Sequence, residues 1–228
     1  MSTLGGYAEQ VVVSESALVP VPDSLSSIQA VSIGINSLVA HYSLQRARLS
    51  VGDRILVRGA GGGIGSMVVQ LALAAQYDIT VTDTTAHKRK ELENIGVRNF
   101  ITLTEPNAND KNFNAVVDPV GGPDLEKYVS LLTENGVYVL NGAAGGFPGN
   151  DFGMSWLSRF QRSLTLACFS LNSIPAADIK SSLSQLFQSA IDGKIIPFVS
   201  EVFPLEDAGE AHRLLETGSV FGKIVLEI

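Results

Sequence analysis

Short apolar runs rich in β-branched residues alternate along this chain with longer stretches whose apolar residues recur at helical spacing. The runs predict strands at residues 7–13, 55–57, 79–82, 100–103, 115–117, 137–140, 164–169, 198–203 and 223–228. The helical spacing predicts helices near residues 24–46, 64–75, 86–95, 121–132, 176–191 and 205–215, the first capped by Asp23 or Ser24. Because such alternation is typical of parallel sheets covered on both faces, the sequence predicts an α/β fold with a doubly wound parallel sheet.

A glycine-rich turn, GAGGGIG at residues 59–65, joins the strand at residues 55–57 to its helix. Gly61, Gly63 and Gly65 let the backbone turn sharply and bring its amides close to a pyrophosphate. The helix that starts near Ile64 presents unpaired N–H groups and a positive dipole end to the same anion. The next strand ends at Asp83, close to the spacing of about 20 residues typical of dinucleotide-binding folds. This order favours a dinucleotide site over a plain turn, although methyltransferases carry similar loops.

The form of the dinucleotide stays open at this point. Asp83 accepts hydrogen bonds from a ribose 2′-OH, which favours NAD(H), and its charge repels a 2′-phosphate. His87, Lys88 and Arg89 place positive charge at the start of the next helix, which suits NADP(H).

Two further glycine-containing turns follow later strands. Residues 118–122 read DPVGG, and residues 141–146 read NGAAGG. Because ligands of open α/β sheets bind at the carboxyl ends of the strands, we expect the two turns to form one crevice.

Composition and charge narrow the classes of function. The chain has 228 residues and a formal net charge of −7, which argues against broad binding to nucleic acid or anionic membranes. Cys168 is the only cysteine, so no intramolecular disulfide forms and a cytoplasmic setting is expected. The most apolar stretch, residues 67–75, is too short to span a bilayer, which predicts a soluble protein.

Several motifs together resemble the medium-chain dehydrogenase/reductase superfamily, in its zinc-free quinone oxidoreductase-like branch. They are GGYAEQVVV, VGDRILVRGAGGGIGSMVVQLA, NAVVDPVGG, VLNGAAGG, FPLEDAGEAHRLLETG and GKIVLEI. The resemblance implies a Rossmann domain at residues 23–195, a remnant of the N-terminal catalytic domain at residues 1–22 and a return segment at residues 196–228. Remnant strands of that second domain are then expected at both termini.

The resemblance also implies where the cofactor, NADP(H) or NAD(H), is held. The main chain of Gly62, Gly63 and Ile64 would hold the pyrophosphate, and Lys88 would meet a 2′-phosphate. The nicotinamide ribose would lie between Val120, Asn141 and Ala143. Gly61, Asp83 and Gly142 complete the expected cofactor-binding set. No catalytic residue is assigned.

The resemblance bears on zinc as well. The zinc-dependent members place a ligand cysteine where Ile35 stands, and the three histidines lack ligand spacing. No zinc is therefore expected.

The implied function is an NAD(P)H-dependent oxidoreductase that passes hydride to a quinone or conjugated carbonyl. Most of the family's GroES-like catalytic domain is expected to be missing, because the GGYAE motif lies so close to Met1. The alternatives are therefore a cofactor-binding remnant without turnover, or half of a split enzyme. The triple-glycine loop and the family-like tail disfavour a methyltransferase. The strand at residues 164–169 looks like a sheet edge, where the family pairs two chains, so a homodimer is expected.

Overall fold

A computed structural model describes residues 5–82, 85–102 and 112–228 of the chain. Its strands are β1 (Arg54–Val57), β2 (Asp78–Thr82), β3 (Asn99–Ile101), β4 (Phe113–Asp118), β5 (Leu132–Leu140), β6 (Thr165–Cys168), β7 (Val199–Pro204) and β8 (Lys223–Glu227). Its α-helices are α1 (Ser27–Ala47), α2 (Gly63–Ala74), α3 (Ala86–Asn94), α4 (Leu125–Val129), α5 (Met154–Leu157), α6 (Ala176–Ile191) and α7 (Ala208–Glu216).

Six of the strands form one parallel sheet in the order β3-β2-β1-β4-β5-β6. The strand order reverses between β1 and β4, which opens a crevice at the carboxyl ends of these neighbouring strands. β7 and β8 pair in parallel as a separate two-stranded sheet. The predicted doubly wound parallel sheet is confirmed.

Both faces of the sheet are buried. Ile55 and Val57 point into a core beneath α1, α2 and α6, whereas Leu56 points into a second core with Tyr138 on the opposite face. The three β1 residues are fully buried. Burial on both faces explains why the strands read as continuous apolar runs and do not alternate.

The cap of α1 differs from the prediction. Ser26 accepts a hydrogen bond from the backbone N–H of Gln29, and the Gln29 side chain accepts one from the N–H of Ser26. This reciprocal capping box satisfies two N–H groups at once. The predicted caps, Asp23 and Ser24, lie before the helix.

The N-terminal strand prediction is wrong for the residues described. Residues 7–13 are irregular, and Val11, Val12 and Val13 are exposed. A strand needs a partner to satisfy its backbone, and no other strand within the described ranges pairs with this segment. Further along, a short 3-10 turn covers Glu15–Ala17.

α4 is shorter than its predicted range of 121–132. Gly121 and Gly122 both have positive φ, +63° and +94°, so they form a turn and not the first turn of a helix. At the other end, β5 already begins at Leu132. The helix that remains runs only from Leu125 to Val129.

The residue just before the C-terminal strand β8 contacts the glycine turn. The backbone N–H of Gly222 donates to the carbonyl oxygen of Gly61 at 2.9 Å, and Gly62 and Gly222 form a parallel bridge. Gly222 has φ +76°, and a Cβ there would lie 2.4 Å from the carbonyl oxygen of Phe198. The tail is thereby fixed against the turn.

No helix within the described residues has the length and apolar character needed to cross a bilayer.

Candidate functional site

The glycine turn leaves β1 and enters α2 through a close backbone contact. The N–H of Gly62 donates to the carbonyl oxygen of Gly59 at 2.9 Å. A Cβ on Gly65 would lie 2.2 Å from that same oxygen, so only glycine fits there. Gly62 caps α2 without a side-chain hydrogen bond. The N–H groups of the first helical turn, at Gly63 and Ile64, therefore have no intrahelical acceptor and point out of the helix end.

Two lysine side chains lie on this turn. A Cβ on Gly61 would lie 2.7 Å from Cδ of Lys88, and one on Gly63 would lie 2.8 Å from Cδ of Lys223. The amide nitrogen of Asn36, from α1, is at 2.9 Å from the same point over Gly63. Three separate elements therefore place nitrogen-bearing side chains over the helix end.

Neither lysine is neutralised within the part of the chain that the structure describes. Both are partly buried, and neither ammonium group makes an ion pair or hydrogen bond with a described residue. Burial lowers the pKa of Lys88 and that of Lys223. Because the charged form is disfavoured in this setting, a bound anion would stabilise both lysines.

The two later turns interlock beside the glycine turn. The N–H of Gly145 donates to the carbonyl oxygen of Val120 at 2.7 Å. A Cβ on Gly142 would lie 2.4 Å from the carbonyl oxygen of Pro119, so the backbones touch directly. On the other side, a Cβ on Gly59 would lie 2.8 Å from Cγ2 of Val120. The predicted crevice is thus a continuous backbone surface across β1, β4 and β5.

Asn141 follows β5 at the end of this surface. Its backbone N–H donates to the backbone carbonyl oxygen of Asp118. Its side-chain amide donates to the hydroxyl of Ser43 at 2.8 Å. Its amide oxygen, Oδ1, is buried and has no hydrogen-bond partner among the residues that the structure describes. An unsatisfied buried acceptor is costly, so this atom is suited to a ligand N–H or O–H group.

The structure brings most of the predicted site residues together. Gly61, Gly62, Gly63, Ile64 and Lys88 lie at the glycine turn, while Val120, Asn141, Gly142 and Ala143 form the neighbouring surface. Asp83 lies outside the described residues. Whether each position binds cofactor stays a prediction.

Sequence reasoning missed Lys223 and Arg58. Lys223 reaches the turn from the end of the chain, so no local spacing connects the two. Arg58 did carry a sequence signal, because it is a charged residue directly between an apolar run and the glycine turn. In the structure Arg58 is 3% exposed. Buried arginines are rarely found without a specific set of partners.

The side chains described do not provide a metal site. No three histidine, cysteine, aspartate or glutamate residues of the described ranges lie close enough to share a metal ion. Cys168 is exposed on β6, and Ile35 is exposed on α1. The described residues therefore do not provide a set of zinc ligands. That the protein has no zinc stays a prediction.

Sequence comparison places the chain among dehydrogenases. The profile of the zinc-binding dehydrogenase family matches residues 95–226, more than half of the chain. An NAD-dependent alcohol dehydrogenase of Sulfolobus acidocaldarius is 28% identical over 98% of this chain, which spans 64% of that protein. A quinone oxidoreductase of Rattus norvegicus is 25% identical over 97% of this chain and 69% of that protein.

A much longer relative also matches. A phenolphthiocerol/phthiocerol polyketide synthase polypeptide of Mycobacterium tuberculosis is 28% identical over 92% of this chain, which spans only 10% of that protein. The chain therefore covers less than two thirds of the polyketide synthase polypeptide and of the alcohol dehydrogenase.

Solved structures agree on the fold. A mycobacterial protein complexed with NADPH superposes with a TM-score of 0.83 at 26% identity, covering 91% of this chain and 67% of that one. A quinone oxidoreductase of Pseudomonas syringae pv. tomato has a TM-score of 0.87 at 24% identity, covering 99% of this chain and 72% of that one, and shows the fold alone. The chain belongs to the zinc-binding dehydrogenase family, in the quinone oxidoreductase-like part of the medium-chain dehydrogenase/reductase superfamily.

Proposed function

We propose that this chain is an NAD(P)H-dependent oxidoreductase of the quinone or enoyl reductase type. The observation that carries the proposal is the pair of lysines, Lys88 and Lys223, that lie on the glycine turn without an anionic partner among the described residues. A pyrophosphate at the N-terminus of α2 would supply that partner for Lys223, and a 2′-phosphate would supply it for Lys88. The NADPH complex of a mycobacterial structural neighbour supports the same cofactor class.

Residues of this chain would contact the pyrophosphate and the nicotinamide half of the cofactor. The N–H groups of Gly63 and Ile64 would donate to the pyrophosphate, and Lys223 would offset its charge. The surface at Val120 would support the nicotinamide ribose, and Oδ1 of Asn141 would accept from a hydroxyl or carboxamide group. When bound, the reduced nicotinamide supplies the hydride.

Catalysis by this arrangement depends on orientation. We assign no acid or base, since a preformed surface that aligns the cofactor with an acceptor supplies a large part of such rate enhancements. A quinone is the first acceptor to test, because one relative is a quinone oxidoreductase. A conjugated carbonyl is the second.

The test has a binding arm and a turnover arm. Calorimetric titration of the wild type with NADPH and with NADH should show binding of at least one of them. Loss of absorbance at the reduced-nicotinamide band with a quinone or enone should then show turnover. Binding without turnover for any acceptor would identify a cofactor-binding module instead, and absence of binding to both would contradict the proposal.

Variants of the two lysines separate their roles. Lys223→Met should weaken NADPH and NADH binding equally, by about tenfold, the loss expected of one charge-assisted contact. Lys88→Met should weaken NADPH binding more than NADH binding if Lys88 meets a 2′-phosphate. Lys90→Met, an exposed change on the same helix as Lys88, is the matched control and should leave both affinities unchanged.

Three further assignments belong to the same proposal. We place the cofactor-binding domain at residues 23–195, with flanking segments at residues 1–22 and 196–228. The lone cysteine supports a cytoplasmic location. The exposed Ile35, standing where the resemblance puts a zinc ligand, supports a zinc-free reaction.

A further inference from the structure

Arg58 is the last residue before the glycine turn, and its guanidinium is held by several partners. Its side chain is 4% exposed. Nη1 donates to Oδ2 of Asp118 at 3.0 Å, and Nη2 donates to both carboxylate oxygens of Asp124 at 3.1 and 3.2 Å. The guanidinium also lies 3.8 Å from the ring centroid of Tyr128. Because a buried cation is costly without partners, these contacts fix it in one place.

Asp118 links Arg58 by hydrogen bonds to the turn that follows β4. Its Oδ1 accepts from the backbone N–H groups of Val120 and Gly121 at 2.8 and 2.9 Å. Its Oδ2 accepts from Arg58 and from the hydroxyl of Tyr138, the latter at 2.5 Å. Arg58 also donates directly to the carbonyl oxygen of Gly121 at 2.9 Å. The turn at residues 119–122 is therefore held from inside by one carboxylate and one guanidinium.

The guanidinium and the two tyrosine hydroxyls of this network keep their protons. Burial lowers the pKa of Arg58, but the nearby Asp118 carboxylate, with smaller contributions from Tyr128, Tyr138 and Asp124, raises the pKa by more, so the guanidinium stays charged. Burial, reinforced by Asp118, raises the pKa of Tyr138, so its hydroxyl stays a donor. Burial also raises the pKa of Tyr128 to about 12.

The turn that Arg58 holds lies between the other two turns of the site. Val120 packs on Gly59, at the start of the glycine turn, and its carbonyl oxygen accepts from Gly145 in the third. A shift of Val120 would therefore alter the surface on which the nicotinamide end would lie. The glycine turn has a separate anchor on its other side, where the N–H of Gly222 donates to the carbonyl oxygen of Gly61 at 2.9 Å.

We propose that Arg58 is a positioning residue of the cofactor site. Through Asp118 it fixes the position of Val120, and it thereby raises the affinity for the nicotinamide half of the dinucleotide. This inference rests on the proposed function. It predicts that loss of Arg58 weakens binding of the whole dinucleotide and leaves binding of its adenosine half unchanged.

The experiment compares NADPH with 2′,5′-ADP, which carries the adenosine phosphates and no nicotinamide; NADH and ADP replace them if the wild type prefers NADH. Arg58→Met should raise the Kd of NADPH by about tenfold and leave that of 2′,5′-ADP unchanged. Arg58→Lys should restore binding only in part, because an ammonium group cannot reproduce the planar fork to two carboxylates. Arg54→Met, at the other end of β1 in a half-exposed pair with Asp78, is the control and should change neither Kd.

Each outcome of these titrations either supports or contradicts the proposed role of Arg58. Equal weakening of NADPH and 2′,5′-ADP would reduce Arg58 to a structural role, and no change in either would overturn the inference as well. If circular dichroism shows that Arg58→Met does not fold, Tyr138→Phe, which removes one hydrogen bond to Asp118 and little volume, is judged by the same two titrations. A wild type that binds neither NADPH nor NADH would contradict the proposed function instead, so the two failures are distinguishable.

Discussion

Gly65 is the residue of the glycine turn that has the least room for a side chain. A Cβ there would meet the carbonyl oxygen of Gly59 at 2.2 Å and Cα of Ala60 at 2.7 Å, both backbone atoms. Gly65→Ala must therefore displace β1 or α2 at their junction. We expect the free energy of unfolding to fall by about 1–3 kcal/mol, as for overpacked sites, and the affinity for NADPH to fall with it. Chemical denaturation and calorimetric titration measure the two effects.

Gly34→Ala supplies the matched control for this added methyl group. Gly34 lies within α1, and beyond the backbone of that helix a Cβ there would meet no atom of the described residues within 4 Å. Since alanine is favoured over glycine in a helix interior by roughly 0.5–1 kcal/mol, this variant should be more stable than the wild type and bind NADPH equally. Equal stability losses at both positions would contradict the packing account of Gly65.

The glycines of the turn could be identified from the sequence because their role is local. Gly61, Gly63 and Gly65 follow from the need to turn between a strand and a helix, and the structure places them there. Lys223 and Arg58 depend on which segments meet in the folded chain. No spacing rule connects Lys223 to Gly63, because the contact forms only when the tail bridges the glycine turn at Gly222.

Among the helices, α1 begins at a cap that differs from the predicted one. Ser26 and Gln29 exchange hydrogen bonds with each other's backbone N–H groups, whereas Ser24 lies before the helix and is exposed. Ser26→Ala should lower the free energy of unfolding by about 1 kcal/mol, the ordinary value of an N-cap. Ser24→Ala should have no effect. A denaturation midpoint that moves with Ser24 and not with Ser26 would contradict the observed cap.

The predicted helices and strands are correct where apolar periodicity determines the element. They are wrong where contacts between distant segments determine it. The helix at residues 176–191 matches α6, since its apolar spacing is continuous. The range predicted for α4 was too long because Gly121 and Gly122 are used to contact the turn after β5. The expected strand at residues 7–13 has the apolar pattern of a strand, but no strand of the described chain pairs with it.

At the scale of the whole molecule, β6 is an edge strand of the parallel sheet, because among the described strands it pairs with β5 alone. The segment that leads into β6 exposes Met154, Leu157 and Phe160, at 56%, 62% and 70%. An unpaired edge beside exposed apolar side chains favours self-association. We therefore expect a homodimer formed through β6.

Cys168 provides the sharpest variant for this expectation. The N–H of Phe169 donates to Leu140 of β5 at 2.8 Å, and successive strand residues direct their N–H groups to opposite sides, so the N–H of Cys168 points to the open edge. Cys168→Pro removes this donor and should convert the dimer to a monomer in light scattering. Cys168→Val keeps the N–H and should stay dimeric. A monomeric wild type, or a dimeric Cys168→Pro, would show that β6 is not the interface.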